Sequence, residues 1–221
     1  MEYYPITFQN QSFTYSIIYK NKKNISIKVK AGQIIVSAPY HISRTYIEKC
    51  LYQHQKRLLQ SLVQYHPYVL YQDQGYVFLF NQKVTLILRD VQQMKCQRHQ
   101  DVLYVYHHSL QKCVEKYLKE ILYDYIVKKI EAYLKRDFDF CMPNIEIKKY
   151  KSRWGSCFYQ EHKVTFSLSL VHLSYELIDY VIVHELCHFL QANHSRLFYQ
   201  EIEKRMPDYK MRQQQLKEKH I

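Results

Sequence analysis

The sequence predicts an α+β protein: a mostly β N-terminal region with one helix, followed by a domain in which a helix carrying His184-Glu185-Leu186-Cys187-His188 packs on a small sheet. Three observations predict it. Apolar residues alternate with a period of two early in the chain, as in half-buried strands. From about Gln111 they recur at steps of three and four, as on one face of a helix. Short strand-like runs then separate this long helix from the one that carries the two histidines.

In the N-terminal region Ile25, Ile27 and Val29 alternate with Ser26, Lys28 and Lys30, the pattern of a half-buried strand. Ala31-Gly32 turns the chain and Ile34-Ile35-Val36 returns it. Phe13–Tyr19 supplies an earlier strand, and Pro39 closes the block. Ser43 caps a helix through about Tyr65, with Ile47, Leu51, Leu58, Leu59 and Leu62 at mostly helical spacing, and His66-Pro67 stops it. Tyr76–Phe80, Lys83–Leu88 and Val102–Tyr106 are further strands, the first two joined at Asn81-Gln82. Gln111 to Arg136 forms the long amphipathic helix. Ile145–Tyr150 and Lys163–Leu170 are strands flanking a turn at Trp154-Gly155-Ser156. Ser174 caps a helix running to about Asn193, and shorter helices follow, punctuated by Pro207. No internal repeat or low-complexity segment is evident. The change in pattern puts a domain boundary near residue 110, giving regions 1–110 and 111–221.

Composition narrows the function. The 221 residues hold only 3 glycines, too few for a Gly-rich phosphate loop or a dinucleotide fingerprint. No run approaches the roughly 18–20 apolar residues of a membrane span. Met1-Glu2-Tyr3-Tyr4-Pro5 lacks the basic and apolar regions of a signal peptide, so the expected compartment is the cytoplasm, with no membrane partner. The six cysteines are irregularly spaced, without C-x-x-C, and read as reduced thiols. The net charge of +12 divides into +8 over residues 1–110 and +4 over 111–221, so the N-terminal half is a candidate surface for nucleic acid.

The chemistry resides in His184-Glu185-Leu186-Cys187-His188. Residues four apart share a helix face, so both imidazoles can bind one metal, and Glu185 can reach a water on it. The water, acidified by a metal such as Zn²⁺, gives its proton to the carboxylate, which later delivers it to a leaving group. Catalytic zinc takes a third protein ligand. His194 can serve if the helix ends before it, with Asn193 in the left-handed conformation at that end. A carboxylate of the next helix, Glu201 or Glu203, is the alternative.

Several stretches carry a family resemblance: Lys151-Ser152-Arg153-Trp154-Gly155-Ser156-Cys157, Tyr180 through His188, Asn193-His194-Ser195, Phe198 and Met206-Pro207-Asp208-Tyr209. Together they resemble the YgjP-like metal-dependent hydrolases, a family similar to the WLM and SprT-like zincins. The resemblance runs over essentially the whole chain and is most specific in its C-terminal motifs. It implies a zincin-like catalytic domain, Zn²⁺ or another divalent metal on His184, His188 and His194, and Glu185 as catalytic acid/base. The chain departs from the family pattern at Phe166–Leu170, at Tyr199 in place of a common Trp, and at Asn81-Gln82 in place of a frequent Leu-Gly. None of these touches the metal triad; they bear on the substrate cleft.

Arg153 is a second catalytic candidate, placed to stabilise an oxyanion or a substrate phosphate. Trp154 as a core anchor, Gly155 as a special backbone position and Arg153 as an ion-pair partner is the structural alternative. Cys157 has no adjacent base to make it a nucleophile, and Cys187 reads as a small core hydrophobe. The first functional reading is a zinc metallopeptidase, because H-E-x-x-H on a helix is a metalloprotease signature. The second is a metal-dependent nucleoside triphosphate (UTP-type) pyrophosphatase, an activity associated with the resembled family. There Lys148, Lys149, Lys151 and Arg153 would neutralise phosphates. The third is a DNA-associated, SprT-like protease recruited through the basic N-terminal half.

Overall fold

Alternation builds the first sheet. In the computed structural model, which describes residues 3–9, 11–30, 32–63, 68–89, 91 and 93–219, it consists of β1 (Tyr3–Phe8), β2 (Gln11–Tyr19), β3 (Ser26–Lys30) and β4 (Gln33–Ala38). The order is β1-β2-β4-β3, with β2 and β4 parallel and the outer pairs antiparallel. Ile6, Phe8, Tyr15, Ile34 and Val36 face inward and are buried. Strand β1 escapes the sequence reading because it is an edge strand with Pro5 in it, which an edge tolerates. Of the expected Ala31-Gly32 turn, Gly32 takes the left-handed conformation at φ 70°; Ala31 lies outside the described residues.

Helix α1 (Arg44–Gln53) starts where expected, the Ser43 hydroxyl accepting from the Tyr46 N–H. It buries Ile47 and Leu51 against the sheet. The single helix expected to Tyr65 is instead two. His54 leaves helical geometry at φ −102° and ψ 9°, and α2 (Gln55–Val63) follows. Tyr65 and the His66-Pro67 stop lie outside the described residues.

A second sheet, β5-β6-β7-β9-β8, comprises β5 (Val69–Leu70), β6 (Tyr76–Leu79), β7 (Gln82–Leu88), β8 (Lys95–His99) and β9 (Val102–Tyr106). Strand β8 was not predicted: Lys95-Cys96-Gln97-Arg98-His99 has no apolar alternation, because it too is an edge, where charged residues guard against further pairing. The turn between β6 and β7 falls at Phe80-Asn81, both with positive φ, one residue before the expected Asn81-Gln82.

The two sheets show a repeat that the sequence reading did not find. The order β6-β7-β9-β8 reproduces β1-β2-β4-β3, parallel in the middle and antiparallel outside. Tyr15 pairs with Ile34 as Leu86 pairs with Leu103. The hairpins close at Phe8↔Gln11 and Leu79↔Gln82, and at Lys30↔Gln33 and His99↔Val102. A helix follows each: α1 buries Ile47 and Leu51 around Glu48-Lys49, and α3 (Leu110–Asp137) buries Val114 and Leu118 around Glu115-Lys116. Most of the correspondence is of inward apolar positions, which several residue types fill equally well, so the identity signal is weak.

The compact units are Met1–Pro67 and Tyr68–Ile221, not 1–110 and 111–221. The boundary moves because Val77, Leu79, Val84, Leu86, Leu103 and Val105 of the second sheet share one core with Val114, Leu118 and Leu122 of α3. A change of secondary structure is visible in a sequence; which elements bury their faces together is not.

The same core holds a third sheet of β10 (Asn144–Lys148), β11 (Gly155–Phe158) and β12 (Lys163–Ser167), ordered β10-β12-β11. Strand β11 occupies the segment expected as a turn and runs antiparallel to β12 at the sheet edge. Strand β12 stops at Ser167, short of the expected Leu170, where a 3-10 turn over Leu168–His172 begins. Then come α4 (Tyr175–Cys187), α5 (Arg196–Arg205) and α6 (Tyr209–Lys217). Among the described residues no helix is long and apolar enough to cross a membrane.

Candidate metal centre

Helix α4 is buried nearly all round, through Leu177, Ile178, Tyr180, Val181, Ile182, Val183, Leu186 and Cys187. A helix with no solvent face is a central element and a rigid platform. His184 lies in its last turn and His188 caps its end. The helix therefore ends well before the expected Asn193, and by a different device. Phe189 and Leu190 donate to the carbonyls of Leu186 and Cys187, tightening the last turn, and Asn193 does not take a positive φ. The chain then bends at Asn193, whose carbonyl accepts from the Ser195 N–H at 2.7 Å, and Ser195 caps α5.

This path returns His194 to the first two histidines. One side-chain nitrogen from each of His184, His188 and His194 lies within 4.8 Å of the other two. Nε2 of His184 and Nε2 of His194 are 3.0 Å apart. Tetrahedral zinc with N ligands at 2.0–2.1 Å separates its donors by about 3.3 Å, so small side-chain rotations suffice. Nδ1 of His188 donates to the Gln191 carbonyl at 3.2 Å, which leaves its Nε2 lone pair for a metal. Burial, then the two neighbouring imidazoles, pushes His184 down to about 3, so it is neutral, the form that ligates. Its buried Nδ1 has no hydrogen-bond partner among the described residues. Three imidazoles with a nitrogen from each close together fit a divalent cation. The alternative ligands are engaged elsewhere: Glu201 pairs with Lys204 and Arg205 at 2.6 Å each, and Glu203 lies 3.8 Å from Lys210.

Phe198 forms the floor of this cluster. It is fully buried, its ring stacks on His188 at 4.5 Å, and it meets His184 and His194 edge-on at 5.0 and 4.8 Å. Spacing alone could not assign it this role; an aromatic three residues after an N-cap Ser reads simply as core.

Glu185 packs against Gly155 of β11 and lines one cavity with His184. It is 6% exposed, and burial pushes its carboxyl up to about 8, against the Cys157 N–H that donates to it and the charge of Arg153. A β-carbon on Gly155 would come within 2.6 Å of Oε1 of Glu185. Gly155 is therefore needed for close approach, a more specific requirement than the special backbone conformation expected. Arg153 is exposed, with its guanidinium 5.5 Å from the centre of the Tyr150 ring. The thiols of Cys157 and Cys187 are both pushed up to about 12 by burial, which keeps them protonated. Neither is an activated nucleophile.

Two histidines and a buried glutamate of one helix, met by a third histidine from the segment after it, have the arrangement of a metal-dependent hydrolase of the H-E-x-x-H kind. The family described as YgjP-like, metallopeptidase domain, matches residues 23–219, and the chain belongs to it. It is thus a metal-dependent hydrolase of a metallopeptidase family. No curated protein matches it in sequence. Among solved structures it is similar to the metallopeptidase zymogen of Pyrococcus abyssi abylysin, at 20% identity and a TM-score of 0.39 over 41% of this chain and 90% of that one.

Proposed function

We propose that the chain is a zinc-dependent peptidase in which Glu185 is the catalytic acid/base and His184, His188 and His194 hold the metal. The observation that carries this reading is the buried Glu185 carboxyl, which lines one cavity with His184, itself one of three converging imidazoles. Zn²⁺, when bound, supplies Lewis acidity and brings the pKa of a water to about 7. Glu185 takes the proton of the attacking water and passes it to the departing amine. The Cys157 N–H orients the carboxylate, and Gly155 lets it sit against β11. Strand β11 is paired on one side only, so an extended peptide can add to its other edge. Arg153 stabilises the developing oxyanion from the loop before β11. The free thiols suit a reducing, cytoplasmic compartment.

The nucleotide reading relied on four cations. Of these, Lys148 lies 2.8 Å from Glu146 and Lys149 2.6 Å from Glu115, so both already face carboxylates. The zinc-loaded protein assayed on a peptide library, beside phosphate release from nucleoside triphosphates, tests the choice. Peptide cleavage lost by about 100-fold or more in Glu185→Gln supports the proposal. Full peptide activity in that variant, or turnover of nucleotides alone, overturns it.

A further inference from the structure

A cavity of about 270 Å³ opens beside Glu185 and His184. Trp154, Tyr180, Val181 and Leu216 supply its apolar walls, and Gln213 and Lys217 of α6 add polar groups apart from the metal site. The size is below the roughly 300–1,000 Å³ of pockets that enclose a whole drug-sized ligand, so it suits one side chain better than a nucleotide. The only carboxylate lining it is Glu185. Lys217 is exposed and, among the described residues, pairs with no acidic group, whereas Lys204, Lys210 and Arg212 nearby in the sequence all do. Lys217 thus lines the cavity with no acidic partner among the described residues. Gln213 hydrogen-bonds the Tyr180 hydroxyl, which fixes the amide against the wall.

We propose that this cavity binds the substrate side chain next to the cleaved bond, and that Lys217 selects an acidic residue there. The inference rests on the peptidase reading. Glutamate is the better fit of the two acids, because its two methylenes can cover the apolar wall while its carboxylate reaches the Lys217 ammonium. A lysine or arginine in the same place meets a like charge. The selection acts through one partly solvated ion pair, so it is modest and salt-sensitive.

The test uses the full-length, zinc-loaded protein and peptides derived from a cleaved sequence, with Glu, Gln, Leu or Lys at each position flanking the bond. At one of these positions Glu should exceed Gln by about fivefold in kcat/KM at low salt, with Lys poorest. Lys217→Glu should invert the order of Glu and Lys. The same ranking should appear in peptide affinities measured by fluorescence anisotropy on the metal-free Glu185→Gln protein, where no turnover intervenes. Cleavage with no charge preference, or a preference untouched by Lys217→Glu, overturns the pocket and leaves the peptidase reading intact. Failure to cleave or bind any peptide overturns both. Nucleotide turnover slowed in Lys217→Glu would instead assign Lys217 to a phosphate.

Discussion

Glu185 occupies the space that a side chain on Gly155 would fill: a β-carbon there would lie 2.6 Å from Oε1, 2.8 Å from Cγ and 2.9 Å from Cδ. The strand edge and the helix can approach this closely only because residue 155 has no side chain. Gly155→Ala should therefore push the carboxyl out of place. A shift of about 1 Å in a catalytic group costs on the order of 100-fold in rate, so kcat/KM should fall by that much. Metal content, measured by atomic emission, should stay at the wild-type level, because the atoms that a β-carbon would meet belong to Glu185 and to none of the three histidines. A variant with full activity would show that the carboxyl is not held by this contact.

The three histidines make a second prediction. Alanine at His184, His188 or His194 should each raise the metal dissociation constant, read by chelator competition, by more than about 100-fold, since losing even a residue that only orients a ligand costs about 10–100-fold. Glu201→Ala should leave it unchanged, because Glu201 is paired with Lys204 and Arg205. An opposite ranking would make the carboxylate the third ligand. Chelation of the wild type should abolish peptide cleavage and re-addition of zinc should restore it.

Phe198 supports both the core and the histidines. Truncation to alanine should cost about 3–5 kcal/mol in urea unfolding, the usual range for a fully buried phenylalanine. Phe198→Leu should keep most of that stability. It should still weaken metal binding by about tenfold, because the flat surface under His188 and His194 is lost. Equal metal affinity in the leucine variant would reduce Phe198 to a packing role.

His172 gives a pH dependence away from the metal centre. It is buried, its Nδ1 donates to the Phe78 carbonyl at 2.7 Å, and its ring stacks on Tyr68 at 5.3 Å. Burial lowers its pKa below the ordinary imidazole value, with the Phe78 carbonyl opposing. The native state thus holds it neutral, while the unfolded chain takes up a proton below about pH 6.5. Its contribution is present above that pH and is lost as the pH falls, by up to about 1.4 kcal/mol per pH unit. His172→Gln, which can still donate to Phe78, should lose less stability than wild type between pH 7 and pH 5 in urea titrations. Parallel losses in the two proteins would refute this.

Local features were legible and shared burial was not. The Ser43 cap, the long helix before residue 138 and the strands at 82–88 and 102–106 each follow from a few neighbouring side chains. The edge strands β1 and β8, the strand at Gly155–Phe158 and the break at His54 do not, because edges and breaks lack a periodic apolar signature. The domain boundary was misplaced for the same kind of reason: the core that unites β6–β9 with α3 and α4 is assembled from residues far apart in the chain.

At the site, the sequence alone determined that His184 and His188 share a helix face with Glu185 beside them, because four-residue spacing on an α-helix is a geometric constant. It also established that a third ligand needs the helix to end. Tertiary structure decided which residue comes back to the two histidines, by tightening the helix end at Phe189–Leu190 and anchoring Ser195 at the start of α5, so that His194 returns. It decided too what surrounds the Glu185 carboxyl and the three histidines. Gly155, Phe198 and Lys217 meet this centre from a strand and two further helices, and contacts between distant segments are set by packing, which no local pattern encodes.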